Sequence, residues 1–171
     1  MEPDGLDSIY RMYMKDVYRY LRSLCRDHQE AEDLVQETFY RAYLYLENCR
    51  DDKVKPWLFR VAYNVFVDLK RKQRRSVTKE GGYFNQLSDA ADTPESKLLR
   101  EERMNEIERA VASLPDNQRQ AMLLYDFHQF SYQEAAEIME VGLSHFKILL
   151  FRARQRLRQQ KERSDQDERG V

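Results

Sequence analysis

Between Phe130 and Leu157 the chain reads FSYQEAAEIMEVGLSHFKILLFRARQRL, two amphipathic segments parted by a three-residue break, and few folds accommodate that arrangement. Ser131 is a good N-cap, Glu134 stands three residues on as its capping-box partner, and Ala135, Ile138 and Met139 mark one face of a short helix. Glu140-Val141-Gly142 is the turn. The next segment carries Phe146, Leu150, Ala153 and Leu157 at helical steps, with Lys147, Arg152, Arg154, Arg156 and Arg158 supplying positive charge. This is a helix-turn-helix pattern whose second helix can face a phosphate backbone. In such motifs the N-terminal residues of that helix lie on base edges, which places Ser144, His145, Lys147 and Ile148 nearest the bases. The competing reading is a pair of packed helices with a solvated basic face. The glycine in the turn, the short first helix with small residues facing its neighbour, and the charge gathered on the second favour a DNA reader.

A chain of 171 residues holds one or two small domains. Only five glycines and four prolines leave little turn chemistry for a many-stranded sheet, so the expected fold class is all-α. No apolar run approaches the roughly 20 residues that span a bilayer. Met1-Glu2-Pro3-Asp4 lacks the basic and apolar parts of a signal peptide, and a cytoplasmic location is expected. The net charge of −1 argues against a general polyanion binder, yet the sum hides placement. Lys70-Arg71-Lys72-Gln73-Arg74-Arg75 is one dense basic run, and Arg152 to Arg163 is a second; two separated basic surfaces could span DNA. Cys25 and Cys49 have no metal-ligand spacing and read as reduced thiols. With no Gly-rich phosphate loop, no nucleophile and base at motif spacing and no metal cluster, the expectation is a binding protein, not an enzyme, with no cofactor and no small-molecule substrate.

Along the chain, Leu6 to Cys25 places Ile9, Tyr13, Val17, Leu21 and Leu24 on a core-facing stripe, broadened by Tyr10, Met14 and Tyr20. Asp27 caps a second helix with Ala31, Leu34, Val35, Thr38, Phe39 and Ala42 inside and Glu30, Glu32, Asp33, Gln36 and Glu37 on an acidic outer face. The polar loop Asn48 to Lys55 precedes Pro56, where a third helix can begin. Its expected stripe is Leu58, Val61, Ala62, Val65, Phe66 and Leu69, leaving Trp57, Arg60, Tyr63, Asn64 and Asp68 at the edge and surface. Aromatics beside a basic run suit unpaired bases, which stack on rings while Lys and Arg hold phosphates; plain core aromatics are the alternative for Trp57 and Tyr63. The pattern lapses from Ser76 to Ser96. A polar helix follows from about Glu95 to Leu114, with Leu98, Leu99, Ile107, Ala110, Val111 and Leu114 on its apolar side, and after Pro115-Asp116 a helix through Ala121, Met122, Leu124, Tyr125 and Phe127. The expected layout is two small helical domains, 1–75 and 96–163, joined by a flexible linker at 76–95 and followed by a disordered tail at 164–171.

Two blocks resemble a known family. Ala31-Glu32-Asp33-Leu34-Val35-Gln36-Glu37-Thr38-Phe39 followed by Pro56-Trp57-Leu58-Phe59-Arg60-Val61-Ala62-Tyr63-Asn64 and Asp68 resembles the second region of the extracytoplasmic-function sigma factors, small promoter-specificity subunits of bacterial RNA polymerase. Leu114-Pro115-Asp116, Phe130-Ser131-Tyr132 and Phe151-Arg152-Ala153-Arg154-Gln155-Arg156-Leu157 resemble its fourth region. The resemblance implies an alternative sigma factor acting in an envelope or stress response. Its implied partners are the polymerase core, through the clamp helices of the largest subunit and the flap region, promoter DNA, and a membrane-tethered anti-sigma factor. It assigns Asp33, Gln36, Glu37 and Phe39 to polymerase binding. It assigns Asn48, Lys53, Lys55, Trp57, Arg60, Tyr63, Asn64, Asp68, Lys70, Arg71, Arg74 and Arg75 to the minus-ten element, where the strands separate. Tyr125, Ser144, His145, Lys147, Ile148, Phe151 and Arg152 fall to the minus-thirty-five element.

Three departures from the family pattern matter. Ile148 and Leu149 follow the recognition-helix lysine where a small polar residue and an Arg are common, Tyr125 stands where an Arg often does, and Tyr63 replaces a commonly basic residue. Contact with thymine methyls or recognition of the shape of an A-rich tract therefore fits better than Arg-to-guanine readout. Ile148, Leu149 and Phe151 are also expected to be exposed apolar anchors for a helical segment of the anti-sigma factor; the alternative buries them inside the domain.

Overall fold

The computed structural model describes residues 5–25, 27–49, 53–79 and 106–170, and among these every regular element is helical. Helix α1, Gly5–Leu24, buries Ile9, Val17, Tyr20, Leu21 and Leu24 along the stripe its spacing predicts. Helix α2, His28–Leu44, begins where the Asp27 carboxylate accepts from the Glu30 amide at 2.6 Å. Its inner face is Ala31, Leu34, Val35, Thr38, Phe39 and Ala42, and the Thr38 hydroxyl is satisfied by donating to the Leu34 carbonyl at 2.7 Å. A short 3₁₀ turn, Leu46–Asn48, leads toward α3, Val54–Lys79. These three helices pack on one another as a first unit.

Helix α3 begins two residues before Pro56, which sits in the first turn, where no intrahelical donor is lost. It also runs on to Lys79, into the stretch expected to be linker, because nothing in Ser76-Val77-Thr78-Lys79 breaks a helix and the first breaker in sequence is Gly81-Gly82. The rest of the expected linker, and the first part of the polar helix with Leu98 and Leu99, lie outside the described residues.

The second unit is built from α4, Glu106–Ala112; α5, Asp116–Met122; α6, Tyr132–Met139; and α7, Leu143–Arg169. On α4, Val111 is buried as expected but Ile107 is exposed. Helix α5 does not simply run through Phe127. Leu123–Phe127 forms a π-helical turn, closed by the His128 amide donating to the Leu123 carbonyl at 3.0 Å, and this widened turn leaves Phe127 exposed while Leu124 stays in the core. Phe146, Leu149, Leu150 and Ala153 of α7 close the core over α6. The expected disordered tail is corrected for 164–169. Helix α7 continues to Arg169 because no Gly or Pro interrupts it, and it is tied to the α4 side by Gln160 Nε2 donating to Ser113 Oγ at 2.9 Å and Ser164 Oγ donating to Glu106 Oε1 at 3.2 Å.

The two units are in contact. Helix α3 packs against α6, and a buried hydrogen bond joins α1 to α5, with the Tyr20 hydroxyl donating to Gln120 Oε1 at 2.6 Å.

Candidate nucleic-acid interface

The helix-turn-helix is fixed at its start by both halves of a capping box. The Glu134 amide donates to Ser131 Oγ at 3.1 Å, and the Ser131 amide donates to Glu134 Oε1 at 3.0 Å. The turn gets its bend from Glu140, in the left-handed region at φ 57° and ψ 40°. Gly142 is not the residue that needs this freedom: at φ −68° and ψ 155° it is extended backbone and the N-cap of α7. Ser144, His145, Lys147, Ile148, Phe151 and Arg152 are all exposed on α7, opposite the buried Phe146, Leu150 and Ala153. The expected apolar trio divides here. Ile148 and Phe151 are 46% and 60% exposed, but Leu149 is 6% exposed and belongs to the core, because its position turns it inward beside Phe146 and Ala153.

Tyr125 is half-buried under this helix and stacks on Tyr132, with ring centroids 4.5 Å apart and planes within 2° of parallel. Lys147 Nζ stands 5.7 Å from the Tyr132 centroid, and the Arg154 guanidinium 5.4 Å from that of Tyr125. Arg154 also pairs with Asp126 at 2.8 Å, a bond that raises its pKa further. The Tyr125 phenol pKa is likewise raised, first by its hydrogen bond with Tyr132.

The residues expected at the minus-ten element fall into several settings. Lys55, half-buried, donates to the His128 carbonyl at 3.5 Å and lies over the Phe59 and Phe130 rings. Arg60 faces Glu140 at 3.5 Å, and Tyr63 has its pKa raised by burial and then by Glu140. These three side chains are therefore engaged by the second unit. Asp68 is held by Arg41, which also pairs with Glu37; this network raises the Arg41 pKa, first through Asp68. Trp57 is half-buried against the core and Asn64 is half-buried, while Lys53, Arg71, Arg74 and Arg75 are exposed. Lys70 lies 5.4 Å over the Phe66 ring. The side chain of Asn48 lies outside the described residues.

On α2, Asp33, Gln36 and Glu37 are exposed on one outer face, and Gln29 donates to Asp33 at 3.2 Å. Phe39 is corrected: at 7% exposed it is a core residue, edge-on to Tyr10 at 4.9 Å, because it lies on the same helical face as Val35 and Ala42.

Sequence reasoning missed the contact between the units. Phe59 is fully buried there, 4.9 Å from both the Phe130 and His128 rings and 5.1 Å from Tyr20. The signal was present: Trp57-Leu58-Phe59 is wider than one helical stripe needs. Gln120 and His128 gave no such signal. Burial, and then Lys55, push the His128 imidazole pKa down to about 4. Among the described residues no cluster suited to a metal ion occurs, and no helix is long and apolar enough to cross a membrane.

Comparison with known proteins agrees with this division. Residues 9–76 match the family model for Sigma-70 region 2, and residues 104–157 that for Sigma-70, region 4. The chain is 43% identical over 164 residues to the ECF RNA polymerase sigma factor SigM of Bacillus subtilis, covering 95% of this chain and 99% of that protein. It is 28% identical to the RNA polymerase sigma factor YlaC of the same organism, covering 97% of each. Among solved structures, the sigma factor RpoE of Bartonella quintana, in complex with the anti-sigma factor NepR, superposes with a TM-score of 0.74 at 24% identity, covering 91% of this chain and 96% of that one.

Proposed function

This chain belongs to the extracytoplasmic-function family of RNA polymerase sigma factors, and on that footing we propose that it joins core polymerase, directs it to a specific set of promoters and helps open them. The observation that carries the reading is the row Ser144, His145, Lys147, Ile148, Phe151 and Arg152, exposed together on the second helix of a helix-turn-helix whose first helix starts in a complete capping box. That row is the duplex reader. The α3 set, with Trp57, Arg60, Tyr63, Asn64 and the basic turns Lys70 to Arg75, captures the separated strand. Opening costs about 1.4 kcal/mol per base-pair step, and stacking worth about 1–3 kcal/mol per base offsets it, so binding energy alone suffices and no catalytic group is needed.

Asp33, Gln36 and Glu37 on the outer face of α2 form the polymerase contact. Half-buried Lys55 and Tyr63 and exposed Arg60 are engaged by the His128 carbonyl and Glu140 of the second unit, so the two units separate before the minus-ten strand is engaged. Polymerase binding supplies that separation. An anti-sigma factor acts in the opposite sense, holding the units together, and Ile148 and Phe151 offer it apolar anchors on the reading helix. Such a factor, tethered in the membrane, would couple release to an envelope signal.

The test is transcription by core polymerase reconstituted with the full chain on a promoter library. A shared motif upstream of the start sites is expected; failure to bind core, or transcription without sequence preference, sinks the reading.

A further inference from the structure

Five groups form one line across the helix-turn-helix: Lys147, the Tyr132 ring, the Tyr125 ring, Arg154 and Asp126. Both cations come from the same face of α7, seven residues apart, whereas the rings come from α6 and the π-helical turn. The widened turn is what makes the line possible. Removing its extra residue would rotate Tyr125 and Asp126 by about 100° relative to the residues before them, away from Tyr132 and Arg154. A lysine ammonium on a four-carbon stem otherwise has wide freedom, and a ring beneath it narrows the positions it can take. The Tyr132 ring is itself held, because Tyr125 stacks on it and Arg154, anchored by Asp126, lies over Tyr125 in turn.

We propose that the Tyr125–Tyr132 stack is a positioning platform that fixes where Lys147 meets the bases, so that promoter preference at the base pair Lys147 reads depends on two rings that act through it. Tyr125 then shapes specificity without making a direct base contact. This inference rests on the reading of α7 as the duplex reader.

The test selects upstream duplex sequences from a randomised library with holoenzyme made from the full chain and core polymerase. Tyr125→Leu is expected to reduce discrimination at the base pair read by Lys147 about two- to fivefold, and to leave the other positions unchanged. Tyr125→Phe, which keeps the ring, restores it. Lys147→Ala removes discrimination there and makes Tyr125→Leu silent. Tyr132 also lies 6.3 Å from Phe146, so Tyr132→Leu can loosen the core; Tyr125→Leu is the deciding variant, with its thermal melting checked against the wild type. Unchanged preference in Tyr125→Leu, an equal loss at every position, or the same effect of Tyr125→Leu in the Lys147→Ala background overturns the platform while leaving α7 as the reader. If the wild-type holoenzyme selects no upstream sequence, the reader fails and the platform falls with it.

Discussion

Tyr20 and Gln120 are both almost wholly removed from solvent, so each depends on the other for its hydrogen bond. Tyr20→Phe keeps the ring against Phe59 but strands the Gln120 carbonyl, and should destabilise the chain by about 1–3 kcal/mol in urea unfolding; unchanged stability would contradict the buried bond. His128 gives a second prediction. Its folded-state pKa, about 4, lies below its ordinary 6.5, so the folded chain binds fewer protons there than the unfolded one. The stability this group contributes is therefore full above about 6.5 and declines as the pH falls toward 4. The neighbours that set the shift are Lys55 on α3 and Asp16 and Arg19 on α1, of which only Asp16 opposes it. Replacing His128 with Phe should flatten the pH dependence of unfolding in that window, and a curve parallel to the wild type would count against the assignment.

Helix α2 was legible almost throughout, since its apolar stripe and its N-cap Asp27 both appear where the spacing put them. Its outer face yields a prediction that depends on Asp33 and Gln36 being exposed: replacing both with Ala should weaken core polymerase binding by about fivefold or more with thermal unfolding unchanged. Wild-type affinity for core would remove α2 from the interface. The helix-turn-helix was legible in its cap and core, but not in its turn. A sequence pattern assigns turn freedom to the glycine, whereas the backbone puts positive φ on Glu140, whose side chain also faces Arg60. Gly142 has open space around it and an extended φ, so Gly142→Ser should add a capping oxygen and stabilise the protein by a few tenths of a kcal/mol, read as a slightly higher Tm. A fall in Tm would mean that the α7 N-terminus is constrained in some other way. The π-helical turn at Leu123–Phe127 was illegible for a simple reason: periodicity at 3.6 residues per turn has no means of announcing one turn that is wider.

The meeting of the two units was likewise invisible, because periodicity reports which face of a helix is buried and not what buries it. Phe59, Lys55 and Arg60 are engaged at once by α6 and the His128 turn, so a chain unable to part there should be inactive. Placing cysteines at Arg60 and Glu140, replacing half-buried Cys49 with Ser and bridging the new pair with a short bismaleimide tests this. Cys25 does not compete, since burial pushes its thiol up to about 12. The bridged protein should open promoters with core polymerase far less well than the same double variant left unbridged; equal activity before and after bridging would show that the contact need not open. The same contact also has a history within each molecule's synthesis. Tyr20 and Gln120 are 100 residues apart, so at about 5–20 residues per second Tyr20 waits roughly 5–20 s for its partner to be made. Until Gln120, His128 and Phe130 are made, Tyr20 and then Phe59 stand uncovered on a nascent chain, and the first three helices meet the cell before α5 and α6 exist to shield them.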